Sequence, residues 1–122
     1  MARHAYPFEK LRVWQSAREL VQNVYQVTNG FPQRELYGLT SQINRAAVSL
    51  VANLAEGSGR TSRRDQARFS QIAYGSLMEL ACLLIVAADL GFAKAGDEET
   101  LRDLIESVSR QLNALRTAQL CS

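Results

Sequence analysis

Apolar residues recur every three to four positions along four stretches of the chain, the spacing of helices that bury one face. The first stretch runs from about Lys10 to Thr28. Trp14, Ala17, Val21, Val24 and Thr28 fall on one stripe, widened by Leu20 and Val27. Asn29-Gly30-Phe31-Pro32 closes it, with glycine offering a left-handed cap and proline forbidding continuation. The second runs from about Leu36 to Glu56, with Leu39, Ile43, Ala46, Ala47, Leu50, Val51 and Leu54 as its buried face, and stops at Gly57-Ser58-Gly59. A third begins with Ser62 as N-cap, with Asp65 three residues on in a short capping box. It continues to Leu90 through Gly75, Gly91 caps it, and it is about 40 Å long. The fourth starts near Asp97, a good cap followed by Glu98 and Glu99, and carries a narrow stripe of Leu101, Leu104, Val108, Leu112 and Leu115.

Connections of about 3 to 7 residues between long helices make sequence neighbours antiparallel. The expected fold is all-α, an antiparallel up-down-up-down four-helix bundle. A single domain would take residues 1–122, with a leading segment at 1–8 and a frayed tail at 119–122. The third helix is apolar nearly all round between Ile72 and Leu90, more so than one core can absorb. Tyr74, Met78, Cys82 and Ile85 are the residues expected to meet a second copy of the chain. Otherwise the small residues Ala81, Cys82, Ala87 and Ala88 accept exposure in a monomer.

Composition narrows the class. The 122 residues are 47% hydrophobic and 21% charged, with only two prolines, a globular balance that favours helices. Two cysteines make no disulfide framework, and the N-terminus lacks the apolar stretch of a signal peptide. The longest apolar run, Leu80 to Ala88, is 9 residues, far short of the roughly 20 that span a bilayer. A reduced cytoplasmic protein with no membrane contact is expected.

Catalytic and metal constellations are weak. The only histidine, His4, precedes the first helix, so the Glu-x-x-His pairs of a di-iron bundle are missing. Glu56 and Glu79 lie inside the helical pattern, where a carboxylate more often makes an ion pair than an acid/base couple, and Arg45 is an available partner. Cys82 sits among leucines with no basic sequence neighbour and reads as a small core residue rather than a nucleophile. No catalytic residue, metal, cofactor or small-molecule substrate is indicated.

Charge placement is more informative. The bundle topology collects Arg3, Lys10, Arg12, Arg60, Arg63, Arg64, Arg68, Arg110 and Arg116 at one end against only Glu9, Glu56 and Asp65. The opposite end is acidic, so a chain of net charge +2 is polar along its axis. Of the 14 basic residues 12 are arginine, which binds phosphate in a bidentate fork. Glycines ahead of a helix N-terminus with extra arginines are what a phosphate site requires. Arg60, Arg63, Arg64, Arg68 and Arg12 are therefore the candidate nucleic-acid contacts, and Gly57 and Gly59 the turn glycines, at least one with a positive backbone angle. A solvated turn with incidental charge is the competing reading.

Tyr37-Gly38-Leu39-Thr40-Ser41-Gln42-Ile43-Asn44-Arg45-Ala46-Ala47-Val48-Ser49, followed by Asn53-Leu54-Ala55-Glu56-Gly57-Ser58-Gly59-Arg60, resembles the bacterial four-helix bundles encoded in intervening sequences of 23S ribosomal RNA. Phe8 to Gln15 is similar to that family's opening, and Phe69, Ala73-Tyr74-Gly75-Ser76, Glu79-Leu80 and Asp89-Leu90-Gly91-Phe92 to its third helix. Val51 stands where the family often has proline, and the fourth helix matches only in pattern. The resemblance implies a bundle that assembles as a ring of five without established enzymatic activity. A related branch, the accessory proteins of diversity-generating retroelements, forms a basic barrel that binds nucleic acid and a reverse transcriptase. The resulting expectation is a non-enzymatic homo-oligomer that contacts RNA or DNA through phosphates. The alternative is a protein-protein scaffold or adaptor with no nucleic-acid role.

Overall fold

The computed structural model describes residues 3–121 and contains four α-helices and two 3-10 turns, with no strand among the described residues. α1 spans Arg12–Thr28, α2 Leu39–Ser58, α3 Arg63–Asp89 and α4 Ala95–Leu120. Each helix packs on its sequence neighbour, and α1 closes the ring against α4. This is the antiparallel up-down-up-down bundle that the periodicity predicts. Leu20, Ile43, Leu50, Leu77, Leu80, Leu101 and Leu112 are almost wholly buried at its centre. Ile105 also turns inward, which the narrow stripe read for the fourth helix did not include.

At least one polar pair sits at each of the four seams. Thr28 Oγ1 donates to Asn44 Oδ1 between α1 and α2 at 3.0 Å, and the Ser49 and Ser76 hydroxyls meet at 2.8 Å between α2 and α3. Ser70 Oγ donates to Gln119 Oε1 between α3 and α4 at 2.8 Å, and Gln111 Nε2 donates to Ser16 Oγ between α4 and α1 at 3.0 Å. Apolar faces alone tolerate sliding, whereas a half-buried donor needs its particular acceptor. These pairs set the register of each seam.

The boundaries hold where capping chemistry is strong and move where it is weak. Ser62 Oγ accepts the Asp65 amide at 3.0 Å, so α3 begins as the sequence predicts. Gly91, at φ +79°, ends it, with Gly91 N–H donating to Ala88 and Phe92 N–H to Ala87, the paired bonds of a Schellman cap. The other glycine-based expectation fails. α1 ends on Asn29 in right-handed conformation, and Gly30 is not left-handed, because Pro32 alone suffices to stop the helix. A 3-10 turn at Gln33–Glu35 delays α2 to Leu39, whose amide donates to Glu35 Oε1 at 3.3 Å. α4 starts two residues early at Ala95, with Lys94 at the cap, so Asp97 lies in the first turn instead of capping it.

Pro7–Lys10 forms a 3-10 turn, and α4 continues through Leu120 with Gln119 tied to Ser70. Met1, Ala2 and Ser122, the extremes of the leading segment and of the tail, lie outside the described residues. α3 contains an 18-residue window of mean hydropathy 1.7, long and apolar enough to cross a membrane by length and composition. Here its Ala73, Leu77, Leu80 and Leu84 supply the bundle core.

Candidate nucleic-acid interface

The basic end is built from four chain segments that the topology brings together. Pro7 and Leu11, before and at the start of α1, share a groove with Ser58 and Thr61 of the α2–α3 corner and with Leu115 and Ala118 of α4. Arg63, also in this groove, donates from Nη1 to the Ala118 carbonyl at 3.0 Å. That bond satisfies one of the free carbonyls at the α4 C-terminus, where the helix dipole favours a cation. Arg63 is thereby partly consumed by the fold.

The α2–α3 corner is not the glycine loop that the sequence reading expected. Gly57 and Ser58 belong to the last turn of α2, and neither Gly57 nor Gly59 has a positive φ. Gly59 is the C-cap at φ −88°. Gly57 is buried, and a Cβ there would stand 2.8 Å from the Phe69 Cβ. Close approach of α2 and α3 therefore requires this glycine, and chain reversal does not. Ser62 Oγ occupies the Asp65 amide at this corner.

Phe69, itself buried, organises two of the candidate arginines. The Arg60 guanidinium lies 4.5 Å from its ring centroid and that of Arg68 5.1 Å. Arg60 also pairs with Glu56 at 3.1 Å, and Arg68 approaches Asp65 at 3.9 Å. Stacking on a ring holds a guanidinium plane while leaving edge donors for other acceptors. Arg12 and Arg64 differ, because both are exposed and neither has a hydrogen-bond or ion-pair partner among the described residues. The five candidates thus share one end of the bundle and separate into two stacked, one capping and two unpaired.

A feature of this end was not read from the sequence. Tyr6 stacks on Phe8 at 5.5 Å with the rings 6° apart, Phe8 meets Trp14 at 4.8 Å, and the Arg18 guanidinium lies 5.6 Å from the Trp14 ring. The aromatic run Tyr6-Pro7-Phe8, with Trp14 beyond the turn, was the available signal. Assigning Trp14 to the buried stripe and the first eight residues to a leading segment concealed it.

The comparisons add one decisive observation. The sequence matches the 23S rRNA-intervening sequence protein family over residues 9–114, nearly the whole chain. This chain belongs to that family. No curated protein matches it. The match in this rRNA-intervening sequence family member takes in the fourth helix as far as Ala114, where the sequence reading found only a pattern, and it stops short of Tyr6.

The outer face of α3 in this family member bears the residues expected at a subunit contact. Met78, Cys82 and Ile85 are exposed, joined by Ile72 and Val86. Tyr74 is half-buried, with the Arg116 guanidinium 5.4 Å from its ring. Cys82 is therefore not the small core residue that its leucine neighbours implied, since the buried face of α3 passes through Leu80 and Leu84 instead. Glu56 pairs with Arg60 and not with Arg45, which lines a polar groove with Glu79 between α2 and α3. No group of three His, Cys, Asp or Glu side chains is placed to hold a metal among the described residues.

Proposed function

We propose that this protein is a cytoplasmic, non-enzymatic homo-oligomer whose basic end binds the phosphate backbone of RNA or DNA. The observation that carries the reading is the convergence of Arg12, Arg60, Arg63, Arg64 and Arg68 on one end of the bundle, with Arg12 and Arg64 lacking a hydrogen-bond or ion-pair partner among the described residues. A cation without an internal partner is available to a phosphate at no cost of breaking a native contact. Stacking on Phe69 and anchoring on α4 keep Arg60, Arg68 and Arg63 at the rim of the same end. Phosphate contacts position a nucleic acid without reading its bases. Weak sequence preference and strong salt dependence should follow.

The exposed apolar face of α3 supports self-association, and the family resemblance makes a ring of five the natural assembly. An odd-membered ring uses head-to-tail contacts, and with the bundle axes roughly aligned along the ring axis every subunit turns its basic end to the same rim. A modest surplus of charge per chain then becomes a strong local potential.

The test is retention of an RNA oligomer at low salt by three proteins. The wild type should bind. Arg12→Gln with Arg64→Gln should bind less while keeping its assembly and helicity. Arg34→Gln with Arg102→Gln, at the opposite end, should bind as the wild type does. Failure of the wild type to retain RNA or DNA would transfer support to a scaffold or adaptor that docks another protein on its polar ends.

A further inference from the structure

We propose that Tyr6 is a base-stacking platform, so that the ligand of the basic end is a single-stranded nucleic acid. This rests on the phosphate-binding reading above and adds the form of the strand. The Tyr6 side chain is unusual among the aromatics of this end because it is 63% exposed and yet held in place. Pro7 opens the 3-10 turn that follows it. The Tyr6 amide donates to Glu9 Oε1 at 2.8 Å, and its carbonyl accepts the Glu9 amide at 3.0 Å. One ring face lies parallel on Phe8, which is backed in turn by Trp14. A flat ring supported on one side and open on the other suits a nucleobase, because its partner face is ordered before binding.

The charge around the ring fits the same ligand. Pro7, its neighbour in sequence, lines the groove that contains Arg63, and Lys10 and Arg12 follow in the next turn. A base laid on Tyr6 would carry its sugar-phosphate backbone toward this groove and its Arg63. Exposed aromatics beside basic side chains are the arrangement by which proteins hold unpaired strands with little sequence preference. In a duplex, both faces of each interior base are already stacked, so an exposed ring gains nothing along its length. Phe69 cannot serve, since guanidinium groups lie against it and the side chain is buried.

The experiment measures anisotropy of three labelled probes with equal phosphate counts: a uridine strand of about twelve nucleotides, the same strand without bases, and an RNA duplex. The full-length wild type should prefer the uridine strand over the abasic one by roughly five- to a hundredfold, the worth of a stacked base. Tyr6→Ala should abolish that preference and bind all three probes through phosphates alone, whereas Tyr6→Phe should retain it. Equal wild-type binding of the uridine and abasic strands would overturn the platform, as would an unchanged preference in Tyr6→Ala or its loss in Tyr6→Phe. Each of those results leaves the phosphate reading standing. Failure of every probe to bind at low salt would overturn the phosphate reading, and the platform with it.

Discussion

Three glycines in this chain stand in three different physical situations. Gly57 is needed for space, since a methyl group there meets the Cβ of the buried Phe69 at 2.8 Å. Gly57→Ala should cost about 1–3 kcal/mol through forced separation of α2 and α3. Gly59 has ordinary contacts and an ordinary φ, so Gly59→Ala should be neutral or stabilise by up to about 1 kcal/mol. Gly91 has open space but φ +79°, and Gly91→Ala should cost about 1 kcal/mol through backbone strain alone. Urea midpoints at a common slope would check all three, and equal costs at Gly57 and Gly59 would contradict the assignment. That a glycine was required at this corner is legible in the sequence. The reason is not, because it depends on a side chain of the next helix that only packing brings opposite.

At the scale of the element, the legible features are those with a local cause. Hydrophobic spacing locates all four helices, and Ser62 and Gly91 fix both ends of α3 because each bond they make lies within a few residues. Ser62→Ala should therefore cost about 1 kcal/mol. Asp97, read as a cap but lying inside α4, contributes only through the helix dipole, and Asp97→Ala should cost about 0.3–1 kcal/mol and fade with added salt. Thermal melts of the two variants at low and high salt separate these cases. The illegible features are non-local. Arg60 and Arg68 could be listed as cations, but their placement on Phe69 follows from the α2–α3 joint, and the Arg63 bond to Ala118 from closure of α3 against α4. Sequence reasoning gathered five arginines at one end and treated as equivalent side chains that the fold divides.

For the whole molecule, the proposed assembly and the proposed binding are linked by geometry. The α3 face formed by Met78, Cys82, Ile85 and Val86 is exposed in the single chain, and covering it would remove apolar surface from water. Sedimentation equilibrium should give a mass several times 13.6 kDa, and Ile85→Lys should lower it. A wild-type mass at the monomer value would contradict the assembly. The central claim, that arginines at the basic end neutralise phosphates, is tested most directly by the affinity for a single-stranded RNA oligomer measured across a salt series. On a plot of log affinity against log salt, Arg12 and Arg64 of one subunit alone should give a slope of about −1.4, two phosphates at about −0.7 each, and several subunits on one strand a steeper one. Replacing both by glutamine should flatten the line by that amount. Absence of binding at low salt, or a slope near zero that the replacement leaves unchanged, would contradict the account.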